Sequence, residues 1–305
     1  MALLLAALLQ DLPSRALPAH PHKTTQVALS PDGKLALTLG DPDRVVKIWR
    51  LDTGKVLHTL GDRATSFALR PDGGLAAVGG EADTAVWNLV TGEAVRRLDV
   101  PRVLALGWSR DGKALTTVAI QRGGNKPGGL LAAIEGQKPA FIPLARDPAW
   151  AAVSPDGLRV AVPHEGAVRV WDVANDKVAF EIPGRAAAVA WSPDGRLLAT
   201  SGDQAVRVWE GAKEVRALEA VYENSPCLAF SGDALLVGAE SGVEIWDGGR
   251  RRPVTYAGPG TGLFFPASVS LSADGRTLVA GGALILKNAP ASGRVTGPLH
   301  FWKTR

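Results

Sequence analysis

Disulfide chemistry has no place in this chain: its 305 residues hold one cysteine, Cys227, so no intramolecular bridge can form. An oxidising compartment is therefore neither required nor excluded. No membrane span is expected, because the apolar run ALLLAALL at residues 2–9 is too short to cross a bilayer. Charge of one sign is not in large excess either, with 34 Lys+Arg well mixed with 30 Asp+Glu for a net +4. That balance is a weak electrostatic footprint, and nucleic acid is not expected as a partner. The one dense basic cluster, Arg250-Arg251-Arg252, falls in a predicted turn without interleaved aromatics. The five histidines (His20, His22, His58, His164 and His300) form no metal-ligand spacing with Cys, Asp or Glu. Nucleophile elbow, Walker loop and dinucleotide fingerprint are all missing, since the GG pairs at 73–74, 79–80 and 123–124 lack the spacing. The expectation is a protein that is not an enzyme, with no catalytic residue, metal or cofactor.

What the chain has in quantity is glycine, 35 residues, and proline, 21, as many short strands with many turns require. The stretch Ala186–Leu218 shows the unit: AAAVAWS, RLLATSG, AVRVWE and VRAL read as four strands separated by turns. Period-two alternation buries one face of each strand. The SPDG tetrapeptide at 192–195 fits a type I turn, with Ser first, Pro second and Gly fourth. The turn aspartate recurs as Asp32, Asp72, Asp111, Asp156, Asp194, Asp233 and Asp274, at intervals of 40, 39, 45, 38, 39 and 41 residues. A period near 40 with four strands per unit is the pattern of a propeller blade. Six units end their third strand in tryptophan: Trp49, Trp87, Trp171, Trp209, Trp246 and Trp302. These, and Trp108, Trp150 and Trp191 in or beside first strands, read as packing residues.

The pattern resembles the WD-repeat (WD40) family over nearly the whole chain, with VWDV at 170–173 and IWD at 245–247 keeping the namesake dipeptide. The resemblance implies an all-β, seven-bladed β-propeller of four-stranded antiparallel blades, one domain over residues 1–305. Its ring would be closed by an N-terminal strand pairing with the last blade. The family's loop aspartate is matched by Asp43 and Asp203, with Glu165 and Glu240 replacing it elsewhere. Its Gly-His pair is nearly absent, Ala19-His20 being the nearest match, with Gly61-Asp62 and Gly184-Arg185 standing in elsewhere. The family's buried His–Ser/Thr–Asp–Trp network is therefore expected to fail in most blades, with His20 a structural loop residue. Asp-box propellers carry an extra residue between Asp and Gly. Quinone-type propellers carry a Trp that LDTGKVLHTL lacks, so neither is matched.

The chain stops after the third strand of unit seven, and Leu12–Leu17 stands where the missing fourth strand belongs. Pro13 and Pro18 are compatible with an outer edge strand. Residues 1–10 read either as an extension of the domain or as a leader. ALLLAALL could be the core of a signal peptide cut after Ser14-Arg15-Ala16, though no Lys or Arg precedes it. The expected compartment is the cytoplasm, with export as the alternative. Units three and seven depart from the pattern through QRGGNKPGG (121–129), AGPGTGLFFPAS (257–268) and KNAPASGRVTG (287–297).

Function is expected at the surface, as a scaffold binding a protein or peptide, with an acidic partner favoured. Eight residues before the second turn position, in the loop leading into strand one, stand Lys23, Arg63, Arg102 and Arg185, with Arg146 one residue off. On such a ring these lead-in loops share one face with the second-to-third-strand loops. The cations form either a basic arc there or ordinary solvated positions. Phe264 and Phe265 are either aromatic anchors beside the arc or buried beneath their loop. The alternative function is an exported propeller with a small-molecule or enzymatic role at its channel mouth. Partner identity and oligomeric state are not encoded legibly.

Overall fold

A computed structural model describes residues 15–121, 128–144, 147–202, 204–218, 227–239, 242–255, 262–286 and 295–303. Its first strand, β1 (Arg15–His20), precedes seven repeats. Blade 1 holds β2 (Lys23–Leu29), β3 (Leu35–Asp41), β4 (Val46–Arg50) and β5 (Lys55–Leu60). Blade 2 holds β6 (Ala64–Leu69), β7 (Leu75–Gly80), β8 (Thr84–Asn88) and β9 (Ala94–Leu98). Blade 3 holds β10 (Val103–Trp108), β11 (Leu115–Gln121), β12 (Gly129–Ile134) and β13 (Ala140–Pro143). Blade 4 holds β14 (Ala152–Val153), β15 (Arg159–His164), β16 (Ala167–Asp172) and β17 (Lys177–Pro183). Blade 5 holds β18 (Ala188–Trp191), β19 (Leu197–Gly202), β20 (Ala205–Glu210) and β21 (Lys213–Ala217). Blade 6 holds β22 (Cys227–Ser231), β23 (Ala234–Ala239), β24 (Gly242–Asp247) and β25 (Arg250–Thr255). Blade 7 holds β26 (Gly262–Leu271), β27 (Thr277–Leu286) and β28 (Val295–Lys303), with β1 as its fourth strand. The fold is all-β, a seven-bladed β-propeller of four-stranded antiparallel blades.

Two compact units are distinguished: Met1–Asp62 with Pro226–Arg305, holding blades 1, 6 and 7, and Arg63–Ser225, holding blades 2 to 5. In the first unit β1 pairs with β28 through Arg15↔Phe301, Ala16↔His300, Leu17↔Leu299 and His20↔Gly297. The closing strand was expected over Leu12–Leu17 and instead runs on to His20. Pro18 does not end it, because it falls at the register shift between Leu17 and His20, where no ladder N–H is needed. Residues 12–14 lie outside the described residues. Blade 7 also corrects the reading of 262–268 as loop: Gly262–Pro266 continue β26 opposite Gly282–Leu286, with Pro266 again at a register shift.

Each blade covers a neighbour. In the second unit Trp171 of blade 4 packs with Val118, Leu130 and Ile142 of blade 3, and Trp209 of blade 5 with Val168, Val170 and Ile182 of blade 4. The first-strand tryptophans also bind across blades: Trp108 Nε1 donates to Ala68 O at 3.1 Å and Trp191 Nε1 to Ala152 O at 3.3 Å. Blade 3 carries Ile134, buried at 4% exposure, in the place of the missing Trp.

The SPDG turns form as predicted. In blade 1 Gly33 N donates to Ser30 O at 2.8 Å, Ser30 Oγ donates to Asp32 Oδ1 at 2.6 Å, and Leu35 N donates to Ser30 Oγ at 2.9 Å. The same serine–aspartate bond recurs at Ser109–Asp111, Ser154–Asp156, Ser192–Asp194 and Ser272–Asp274. Blade 2 substitutes an ion pair, Arg70 to Asp72. The serine hydroxyl, as largest cause, holds Asp32, Asp111, Asp194 and Asp274 below the ordinary carboxylate range. The turn glycine is required twice over, by conformation and by space. Gly157 and Gly195 sit at φ 74° and 71°, and a Cβ would come within 3.0 Å of Thr116 and 3.2 Å of Arg159 on the preceding blade. Those two side chains donate to the glycine carbonyls at 2.7 and 2.8 Å.

His20 is no loop residue. It ends β1, and its ring joins three side chains of blade 1. Trp49 Nε1 donates to Thr38 Oγ1 at 2.9 Å, Thr38 Oγ1 lies 2.8 Å from His20 Nε2, and His20 Nδ1 lies 2.8 Å from Asp43 Oδ2. The chain of bonds is complete when the ring is neutral and Nδ1 carries the proton. Burial, the largest cause, keeps the His20 pKa below 6.5 against the opposing pull of Asp43. The expected failure elsewhere has a simple basis in the residue two places after the Trp's cross-strand partner. That residue is Thr38 in blade 1 and Thr200 in blade 5, where Trp209 Nε1 donates to Thr200 at 3.0 Å. It is Val78, Val162, Val237 and Ala280 in blades 2, 4, 6 and 7. Blade 4 turns Trp171 to Asp176 at 3.3 Å, and blade 6 turns Trp246 to Glu244 at 3.0 Å. Trp87 Nε1 of blade 2 is buried and meets no acceptor among the described residues.

Two outcomes follow from this packing. Val78→Thr supplies Trp87 with its acceptor and should raise stability by about 0.5–1.5 kcal/mol in urea unfolding. Val162→Thr, beside a tryptophan already bonded, should give no comparable gain. Burial pushes the His300 pKa from 6.5 down to about 4. The unfolded chain therefore takes up that proton first, so this stability is whole above pH 6.5 and lost as pH falls towards 4. On the order of 3 kcal/mol should disappear across the window. Unfolding midpoints of His300→Leu should stay flatter there, with further loss below pH 3.8 where the turn aspartates protonate.

Candidate binding face

In blades 1 and 2 the cross-strand registers place the lead-in loop and the second-to-third-strand turn at the same end, and the first strands of blades 3 and 5 open in the same register. Lys23 opens β2 opposite Asp41, Ala64 opens β6 opposite Gly80, and Val103 opens β10 opposite Ala119. In blade 5 Ala188 pairs with Ser201. The SPDG turns, at the far end of the first strands, lie at the opposite end. Lys23, Arg63, Arg102 and Arg185 are all exposed at these lead-in positions. Arg63, Arg102 and Arg185 belong to one unit and Lys23 to the other. Arg146 lies outside the described residues.

The backbone there is unusual in a way no sequence signal announces. Arg63 and Arg102 both sit in the left-handed region at φ 54°, where L-residues with long side chains are uncommon. Arg102 is held by its own peptide groups: its N–H donates to Glu81 O at 3.2 Å and its carbonyl accepts from Ile120 N at 3.0 Å. Beside it, Thr65 Oγ1 donates to Gly79 O at 3.1 Å, and Gly79 leaves no room for a Cβ, which would stand 2.6 Å from Val103. The lead-in loop of blade 3 is thus seated on the second-to-third-strand turn of blade 2. Glu81, absent from the sequence reading, carries its carboxylate 3.5 Å from Arg63. Asp83 of the same turn is bonded by Arg97 of β9 at 2.8 Å.

Phe264 is not an exposed anchor. It is 4% exposed, packs with Cys227, Leu236 and Trp302, and meets the His300 ring edge-on at a centroid distance of 4.7 Å. The reason is strand geometry: in β26 it lies opposite Leu284, inside the sheet extension. Phe265, opposite Ala283, is half-buried.

Within the first unit a groove of about 570 Å³ runs beside β1, lined by Leu17, Pro18, Ala19, Pro21, Lys47 and Pro298 among others. The Lys47 ammonium is engaged by Ala19 O at 2.7 Å and by Asp43, so the groove offers a small molecule mainly apolar contact. No cluster of His, Cys, Asp and Glu able to hold a metal occurs among the described residues, and no helix there is long and apolar enough to cross a membrane.

No curated protein matches the chain. A family model, WD domain, G-beta repeat, matches residues 12–50 and 183–210. Those two segments carry β1 with the first three strands of blade 1, and the first three strands of blade 5. In both of them a threonine receives the tryptophan N–H. The seven four-stranded blades, with the N-terminal strand completing the seventh, are the arrangement of WD-repeat β-propellers, which this chain resembles in fold and in those two segments.

Proposed function

We propose that the protein is a non-catalytic scaffold that binds an acidic protein segment or peptide on the blade ends bearing the lead-in loops. WD-repeat propellers act as platforms for protein partners, and the match of two segments to that family, with the seven-bladed fold, supports the general role. One observation carries the finer reading: exposed cations recur at one repeat position, Arg63, Arg102 and Arg185 in one unit and Lys23 at the same place in blade 1. Rigid blades present these side chains on short loops, so little ordering entropy is lost on capture. Exposed cations at these lead-in positions speed the encounter with an acidic segment and disfavour basic ones.

The test is a spot array of Asp/Glu-rich and neutral peptides probed with the purified chain. The wild type should retain acidic spots, and Arg63→Glu/Arg102→Glu/Arg185→Glu should lose at least about tenfold in affinity, as expected for several reversed charges. Lys113→Glu/Arg196→Glu, at the SPDG ends of blades 3 and 5, should bind as the wild type does. Equal binding by all three proteins, with matching urea midpoints, would remove the proposed face.

A further inference from the structure

Within the second unit, the corner between blades 2 and 3 holds more than two cations. Glu81 joins both of their loops: its carboxylate faces Arg63 at 3.5 Å, and its carbonyl accepts the Arg102 N–H at 3.2 Å. The neighbouring acid, Asp83, is turned away to Arg97 on the outer strand, which leaves Glu81 as the carboxylate of that turn directed at the lead-in position. The seating of Val103 against Gly79 and the Thr65 bonds to Gly79 O and Val103 O fix the turn relative to both loops. The Arg63 and Glu81 side chains themselves are 70% and 44% exposed. An ion pair that open to water is weak and readily exchanged for another carboxylate. Both arginines also occupy left-handed backbone at φ 54°, where glycine would be less strained, so the guanidinium groups are kept at a conformational cost.

We propose that Glu81 is a built-in competitor at this face: its carboxylate holds Arg63 in the unbound protein and is displaced by a carboxylate of the acidic partner. The inference rests on the reading of the face as an acidic-peptide site and adds to it how that site is tuned. Exchange of one carboxylate for another lowers affinity for weakly acidic segments and leaves a net gain only when several partner carboxylates arrive together. The face thereby discriminates clustered acids from single ones.

The experiment uses the full chain and a fluorescent decaglutamate peptide, with binding followed by anisotropy in low and high salt. Glu81→Gln should tighten binding about 2- to 5-fold in low salt, the range open to an exposed ion pair, and the gain should fade in high salt. In an Arg63→Gln background the same change should give no gain, since the group it competes for is gone. Unchanged affinity in Glu81→Gln, with binding weakened by Arg63→Gln, would overturn the competitor role and leave the face standing. A gain that persists in the Arg63→Gln background would also overturn it, as a general charge effect. If neither wild type nor Glu81→Gln binds the probe, the acidic-peptide reading fails first and the inference falls with it.

Discussion

A four-stranded sheet with apolar side chains on both faces cannot exist alone in water, and that constraint governs this structure. Within each unit the solution is sheet against sheet. Cys227, Leu236 and Ile245 of blade 6 meet Val269, Leu278 and Trp302 of blade 7, and Val279, Leu299 and Phe301 of blade 7 meet Val27, Leu29 and Trp49 of blade 1. Val86 of blade 2 meets Val103, Leu106 and Trp108 of blade 3 in the same manner. Each fully buried aliphatic or aromatic side chain contributes about 1.5–3 kcal/mol relative to exposure. The third-strand tryptophan recurs because one large side chain spans the gap between two sheets.

Hydrogen bonds do the finer positioning, and the blades differ there. The serine–aspartate turn survives in five of the described turns, while the tryptophan N–H finds threonine, aspartate, glutamate or no described acceptor according to the blade. The turn is local, needing only residues within five positions of one another, so each repeat can keep it independently. The His20 network needs residues from β1, β3, β4 and the loop before β4 at once, and a single Thr→Val replacement breaks it. Apolar packing tolerates such loss because it is not directional.

The same division of labour shapes the candidate face. Strand register puts the lead-in loops at one blade end, and inter-blade contacts such as Gly79 against Val103 lock the turns to one another. The lead-in cations standing on that scaffold are exposed, which the proposed capture of acidic groups requires.

Much of this was legible in the chain itself. Period-two alternation, SPDG turns about 40 residues apart and a recurring third-strand tryptophan specified seven sheets, because those signals are local and repeat. The chain ends also indicated the β1–β28 pairing, though the strand runs to His20 rather than Leu17. Only tertiary structure decided the rest. Phe264 went inside because β26 continues through what reads as a glycine-rich loop, and strand extension depends on a partner, Ala283–Ile285, distant in sequence. His20 became the hub of blade 1 because Thr38 and Asp43 come to it across strands. Glu81 became a neighbour of Arg63 and Arg102 because turns from two blades meet, a proximity that no residue spacing encodes.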